Sequence, residues 1–274
     1  MILVLSALVL AGLVMAGLVM AGWVLWLARD RPVSPNWQGI QTVNVPEGRF
    51  DFHPSGIFHL NGQLADPPQI VRTTARNLRI MKYHVSEAQY AQCVAAGGCD
   101  RIGDGTDNNT AQVGVSYLDA VAYAQWLSET SGQTWRLPSD AEWVRAAGEK
   151  FAPTLVGVNA EDPSKRWIAE YRAKSSSRNS AKQGLRPAGS YGENELGVAD
   201  MSASVWDWTS TCLRYGSIHK SSNRFKIDTE FCGRRVAQGQ HRAYIVVFVR
   251  DPSAGGCGGG LPPDFLGIRL IREL

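Results

Sequence analysis

The sequence predicts one loop-rich α+β folded unit with three legible helix starts, set behind an apolar N-terminal span. Three observations point there. Residues 1–28 carry no charged side chain. Three serine-capped helix starts fall between residues 86 and 147. Beyond residue 150 the chain changes to short apolar pieces divided by Gly, Ser, Asn and Pro. With 274 residues, 44% hydrophobic composition and 9 Trp, 8 Tyr and 8 Phe, the chain can build a real core, which excludes a disordered protein.

Residues 1–28 come first. At about 1.5 Å rise per residue they cross a bilayer core of ~30 Å. A cleaved signal peptide has a shorter apolar stretch of about 7–15 residues behind a basic start, so the run reads as a retained transmembrane anchor holding the protein to the lipid bilayer. Residues 29–45, "RDRPVSPNWQGIQTVNV", carry two prolines and no periodicity and read as a linker, leaving 46–274 as the domain.

Each of the three helix starts pairs a serine with a polar or acidic residue three positions on, the pattern of a capping box: Ser86 with Gln89, Ser116 with Asp119, and Ser139 with Glu142. In the second helix Tyr117, Ala120, Val121, Ala124 and Leu127 form one apolar stripe, and Gly132 ends it. Of the later segments only "AYIVVFVRD", 243–251, predicts a long strand. Residues 157–187 read as a solvated, polar insertion. Asn108-Asn109-Thr110 fits a glycosylation triplet that needs no function.

A net charge of +3 is spread thinly, with no polybasic run, which argues against nucleic-acid binding. Arg29 and Arg31 pull the domain toward the cytoplasm by the positive-inside rule. The five cysteines argue the other way. Cys93 and Cys99 close one short loop and Cys212 and Cys232 flank another, with Cys257 left over, a two-disulfide pattern for an oxidising compartment. Buried reduced thiols are the alternative. Asp30 sits between the two arginines, so the disulfides decide for an extracytoplasmic, periplasmic domain.

The segment "DMSASVWDWTS", 200–210, sets two aspartates seven positions apart beside two tryptophans. Two carboxylates brought together need a cation or a donor cluster between them. In "WRLPSDAEW", Arg136 precedes a capped helix and Glu142 lies in its first turn, an internal ion pair and cap. Trp126, Trp143, Trp206 and Trp208 read as core.

Four motifs in order resemble the formylglycine-generating enzyme, or sulfatase-modifying factor, family. "MKYHVSEAQYAQCVAAG" resembles its "kyEVTnaqYaaFv" opening, and "VGVSYLDAVAYAQWLSETSGQTWRLPSDAEWVRAA" its central signature. "GSYGENELGVADMSASVWDWTS" resembles "NxxGLxDMxGNVWEWtsd", and "FLGIRLIRE" the closing "GFR" strand. The resemblance covers about residue 70 to the C-terminus. It implies a single α+β domain related to C-type lectins, with stabilising Ca²⁺. Members include formylglycine-generating enzymes, domains linked to ergothioneine synthesis, tyrosine-modifying enzymes and accessory proteins of copper nitrite reductases. Calcium ligands carried over by the motif are the side chains of Asp200 and Asp207 and the carbonyls of Ala203 and Val205. The competing reading pairs Asp207 with Arg136 or Arg269 in the core. Ala203 stands where the family has glycine, which raises the question of backbone strain.

The family's oxidases use a cysteine pair and the copper ion it holds, in the stretch matching 233–256, where this chain has no cysteine. Thiolate is the soft ligand of Cu(I), so the sequence argues against copper and against formylglycine formation. His53, His59, His84, His219 and His241 show no metal-ligand spacing; an iron site would require distant positions to be folded together. His241, with Tyr244 nearby, is the one catalytic candidate, against a structural reading of the same histidine. Two expectations follow: an accessory or maturation module helping a partner such as a copper enzyme, or a metal-dependent oxidoreductase acting on a peptide or protein.

Overall fold

The computed structural model describes residues 39–151, Ile168, 185–219, 224–247 and 260–273. The expected anchor, most of the polar insertion and Cys257 lie outside the described residues. Among the described residues no helix is long and apolar enough to cross a membrane. Residues 36–274 form one compact unit.

All three capping boxes form. Helix α1 (Glu87–Ala95) is capped by Ser86, α2 (Tyr117–Ser131) by Ser116 and α3 (Asp140–Ala147) by Ser139, each with the reciprocal side-chain bond from the residue three positions on. Gly132 ends α2 in the left-handed region at φ 66°, where a side chain would be strained. The stripe of α2 is rotated from the predicted one. Ala120, Tyr123, Ala124, Trp126 and Leu127 are buried while Val121 is 39% exposed, because the larger aromatic rings take the core-facing positions.

Twelve strands lie among the described residues. A four-stranded antiparallel sheet has the order β1-β6-β12-β7, from Thr42–Val45, Leu78–Met81, Ile271–Arg272 and Trp135–Arg136. Ile271 sits opposite Ile80, both buried, so the C-terminal strand seals the core between α3 and the sheet. Strand β1 takes the last four residues of the expected linker into this sheet, since Val43 faces Ile80 in its register. β2 (Gly48–Phe52) pairs antiparallel with β5 (Ile70–Thr74).

The largest sheet has the order β10-β9-β8-β3-β4, with β11 (Leu266–Gly267) added parallel to the start of β8. β3 is Ile57–Leu60, β4 is Gln63–Ala65 and β10 is Arg242–Val246. At its centre lie β8 (Trp206–His219) and β9 (Arg224–Gln238), two long strands that the sequence reading missed. Register shifts at Trp208/Cys212, Cys212/Leu213 and Tyr215/Gly216 break the period-two pattern, and β9 is exposed along most of its length, so neither strand alternates in hydrophobicity. Both expected disulfides are present, Cys93–Cys99 with Cα atoms 5.3 Å apart and Cys212–Cys232 at 4.5 Å, the second stapling β8 to β9.

The four tryptophans are core. Trp143 and Trp208 are fully buried, Trp126 and Trp206 nearly so. Asn194 ties the next segment to α3: its amide donates to the Ala146 and Ala147 carbonyls, and its oxygen accepts from the Leu196 and Val198 amides. That fully satisfied buried amide sets the entry of the chain into the Asp200 turn.

Candidate functional site

The two aspartates of "DMSASVWDWTS" face different partners. Asp207, at the start of β8, is buried between α3 and the closing strand. Its Oδ2 accepts from Trp143 Nε1 at 2.8 Å and from Arg269 Nε at 3.2 Å. His84 Nε2 lies 3.2 Å from Oδ1, out of line for a well-formed hydrogen bond. Arg269, wholly buried, spends its remaining donors on the carbonyls of Met81 at 3.0 Å, Lys82 at 2.7 Å and Ala199 at 2.9 Å, and on His84 Nδ1 at 3.2 Å. A guanidinium can only donate, so the His84 ring nitrogen that Arg269 engages is an acceptor. Burial pushes the Asp207 carboxyl up, but its contacts with His84, Arg269 and Trp143 more than reverse this and hold it at about 2, against an ordinary 3.8. Gly267 lets β11 approach this closely: a Cβ there would lie 2.7 Å from Val205 Cγ1.

Asp200 serves a different purpose. Its Oδ2 accepts the Gly189 amide at 2.6 Å and its Oδ1 the Tyr191 amide at 2.8 Å, while its own amide reaches the Gly192 carbonyl at 2.9 Å. The carboxylate therefore pins the 187–192 turn to the floor beneath it. Asp200 and Ser202 take left-handed angles, φ 56° and 58°. Ala203 does not, so the alanine replacing the family's glycine carries no such strain. As placed, the expected calcium ligands do not fit one ion. Asp200 is taken up by two backbone amides, and the charge of Asp207 is matched by a buried guanidinium that a divalent cation would repel. Among the described residues no three His, Cys, Asp or Glu side chains gather at a metal-binding distance.

Above Asp200 opens a cleft of about 360 Å³, within the range of ligand sites. Its walls come from five segments: 39–41, 81–89, 108–111, 186–191 and 200–205. Tyr191 donates from Oη to Ser204 Oγ at 3.1 Å, and the Arg186 guanidinium lies 5.4 Å from the Tyr191 ring centre. The Ala188 amide bonds the Asn109 carbonyl at 2.8 Å, joining the 186–191 wall to the 108–111 wall. Lys82, paired with Glu193 at 2.7 Å, lies 5.5 Å from the Tyr83 ring at the rim.

His241 and Tyr244 lie outside this cleft, at the β10 end of the large sheet. The His241 ring packs edge-on to Trp206 at 4.4 Å, with Nδ1 3.1 Å from the Arg242 carbonyl oxygen. The Tyr244 hydroxyl accepts the Gly56 amide at 2.5 Å and donates to the Gly56 carbonyl at 3.2 Å, clamping β10 to the loop before β3. Between them Arg242 Nη2 lies 3.2 Å from Asp140 Oδ2, and Gln238 donates to the other Asp140 oxygen. Arg136 and Glu142 form the expected pair, bidentate at 2.7 and 2.8 Å, with Glu273 added at 2.8 Å. Burial pushes the Glu142 carboxyl up, and Arg136 and Ser139 bring it below the ordinary carboxylate value.

Sequence reasoning weighed His84 only as a metal ligand and did not single out Tyr83, Arg186 or Tyr191. His84 stands where the quoted opening motif has glutamate, which was a usable signal. The others come together only in the fold, from segments about a hundred residues apart.

Comparison with known proteins places this geometry. The chain is 34% identical over 125 residues to a formylglycine-generating enzyme of Mycobacterium tuberculosis, covering 42% of this chain and 40% of that protein. It is 35% identical over 104 residues to hercynine oxygenase of the same organism, covering 36% of this chain and 21% of that protein. It therefore spans well under half the length of these relatives. The structure of PvdO from Pseudomonas aeruginosa shares the fold, with a TM-score of 0.53 at 19% identity, over 85% of this chain and 94% of that one. A model of the sulfatase-modifying factor enzyme 1-like domain matches residues 29–274, and the chain belongs to that family.

Proposed function

We propose that this protein is a membrane-tethered, extracytoplasmic accessory or maturation factor that binds a peptide or protein partner, such as a segment of a copper enzyme, and does not make formylglycine. One observation carries the reading: residues 233–256, where the family's oxidases place their cysteine pair, hold no cysteine, and the four cysteines of the described residues are closed into disulfides. A sulfur locked in a disulfide is not a thiolate and cannot grip Cu(I) or relay electrons to oxygen. The disulfides also support an oxidising compartment, and the apolar run 1–28 supports a bilayer tether.

The cleft beside Asp200 is the part this reading assigns to partner binding. Asp200 holds the 187–192 turn, Tyr191 and Ser204 lock it to the floor, and exposed amides at Gln41, Asn108 and Asn109 present donors and acceptors at the mouth. Such a surface binds and orients without itself transferring electrons.

The similarity to formylglycine-generating enzyme and hercynine oxygenase favours a second reading, a metal-dependent oxidoreductase acting on a peptide or protein. Elemental analysis of the purified full chain separates the two. The accessory reading predicts copper and iron well below stoichiometric amounts after metal supplementation. About one equivalent of either, retained through desalting, decides for the oxidoreductase.

A further inference from the structure

We propose that the cleft beside Asp200 binds a peptide carboxylate, with Arg186 as the group that recognises it. This rests on reading the cleft as the binding site. Among the described residues Arg186 is the only permanently cationic side chain lining the cleft. It is exposed, and among the described residues its guanidinium meets only the face of Tyr191, 5.4 Å away, with no carboxylate partner. The other cations of the region are spoken for, Lys82 by Glu193 and Arg269 by Asp207. Among the described residues the one lining carboxylate, Asp200, is buried, accepts two backbone amides and forms no ion pair with the guanidinium.

The remaining polar groups narrow the ligand. Gln41, Asn108 and Asn109 carry side-chain amides that both donate and accept, which is the complement of a peptide main chain. Phosphate sites collect several cations or a run of backbone amides, and here the two amides aimed into the region are consumed by Asp200. A single fork-shaped cation beside neutral amides and two tyrosine rings, Tyr83 and Tyr191, fits one carboxylate on a short peptide. The carboxylate is that of an acidic side chain or of a chain terminus, and the experiment distinguishes these sources.

The full chain, kept soluble in mild detergent, is titrated by ligand-observed NMR with three N-acetylated glycine-rich tetrapeptides: two C-terminally amidated, one containing Asp and one Asn in its place, and a third with a free C-terminal carboxylate and no acidic side chain. At least one carboxylate peptide is expected to bind about ten-fold or more tightly than the Asn peptide, and whichever does so names the source. Arg186→Gln abolishes that difference, and Arg186→Lys retains part of it. Equal affinity for all three peptides overturns the carboxylate assignment while leaving a peptide-binding cleft. Tighter binding of inorganic phosphate than of either carboxylate peptide also overturns it. Failure of every peptide to bind removes the binding reading of the cleft as well.

Discussion

Arg269→Met is expected to lower unfolding stability by roughly 3–5 kcal/mol, because it leaves the buried Asp207 carboxylate facing Trp143 and His84 without a compensating charge. Three carbonyls, those of Met81, Lys82 and Ala199, lose their donor at the same time. Asp207→Leu alone strands the guanidinium and costs a similar amount. The double variant is expected to lose less than the sum of the two, with a coupling of about 2 kcal/mol in a denaturation cycle. Acid supplies an independent check. The folded carboxyl sits at about 2, below its ordinary 3.8, so the pair's contribution is fully present above pH 3.8 and is lost as the pH falls through about 2. About 2 kcal/mol of the intact protein's stability disappears across that window, and the Arg269→Met variant lacks this part of the acid transition. Additive single effects would show that Asp207 and Arg269 are not energetically paired.

Replacing Cys212 and Cys232 by serine is expected to cost about 3 kcal/mol, the loop entropy returned to the unfolded chain by opening a 20-residue separation. The shorter Cys93–Cys99 loop, with a separation of 6, returns about 2 kcal/mol. The ranking follows from where the bridge lies as well as from its length. Cys212 sits where the β8–β9 register shifts, beside the irregular span Trp208–Leu213, so the staple holds a ladder that regular pairing alone does not define. Full reduction of the unmodified protein should reproduce the loss measured for the two pairs together by thermal unfolding. Stability unchanged in the Cys212/Cys232 variant would mean that the ladder defines itself.

What the sequence disclosed was local chemistry. A serine answered three residues later is a complete physical statement about a helix start, and all three helices begin where those pairs stand. Cysteine pairing and the Arg136–Glu142 fork were legible for the same reason: each partner lies within one motif or one loop. β8 and β9 were hidden because bulges and an exposed face erase the alternation that marks a strand. At Asp207 the sequence offered two readings, a metal ligand or an arginine partner, and the fold seats Arg269 and His84 against it from two distant segments of the chain. The cleft was invisible for a related reason. Arg186, Tyr83, Asn108 and Asp200 become neighbours only in the folded chain, and no spacing rule spans such distances.

The central claim is that this chain keeps the family's scaffold and a binding cleft without thiol-based oxidation. Its most direct test is mass spectrometry of a cysteine-containing sulfatase peptide after aerobic incubation with the full chain, copper and a thiol reductant. The account predicts recovery of the peptide with its cysteine unconverted. Formation of the aldehyde, with the loss of sulfur that accompanies it, would contradict it.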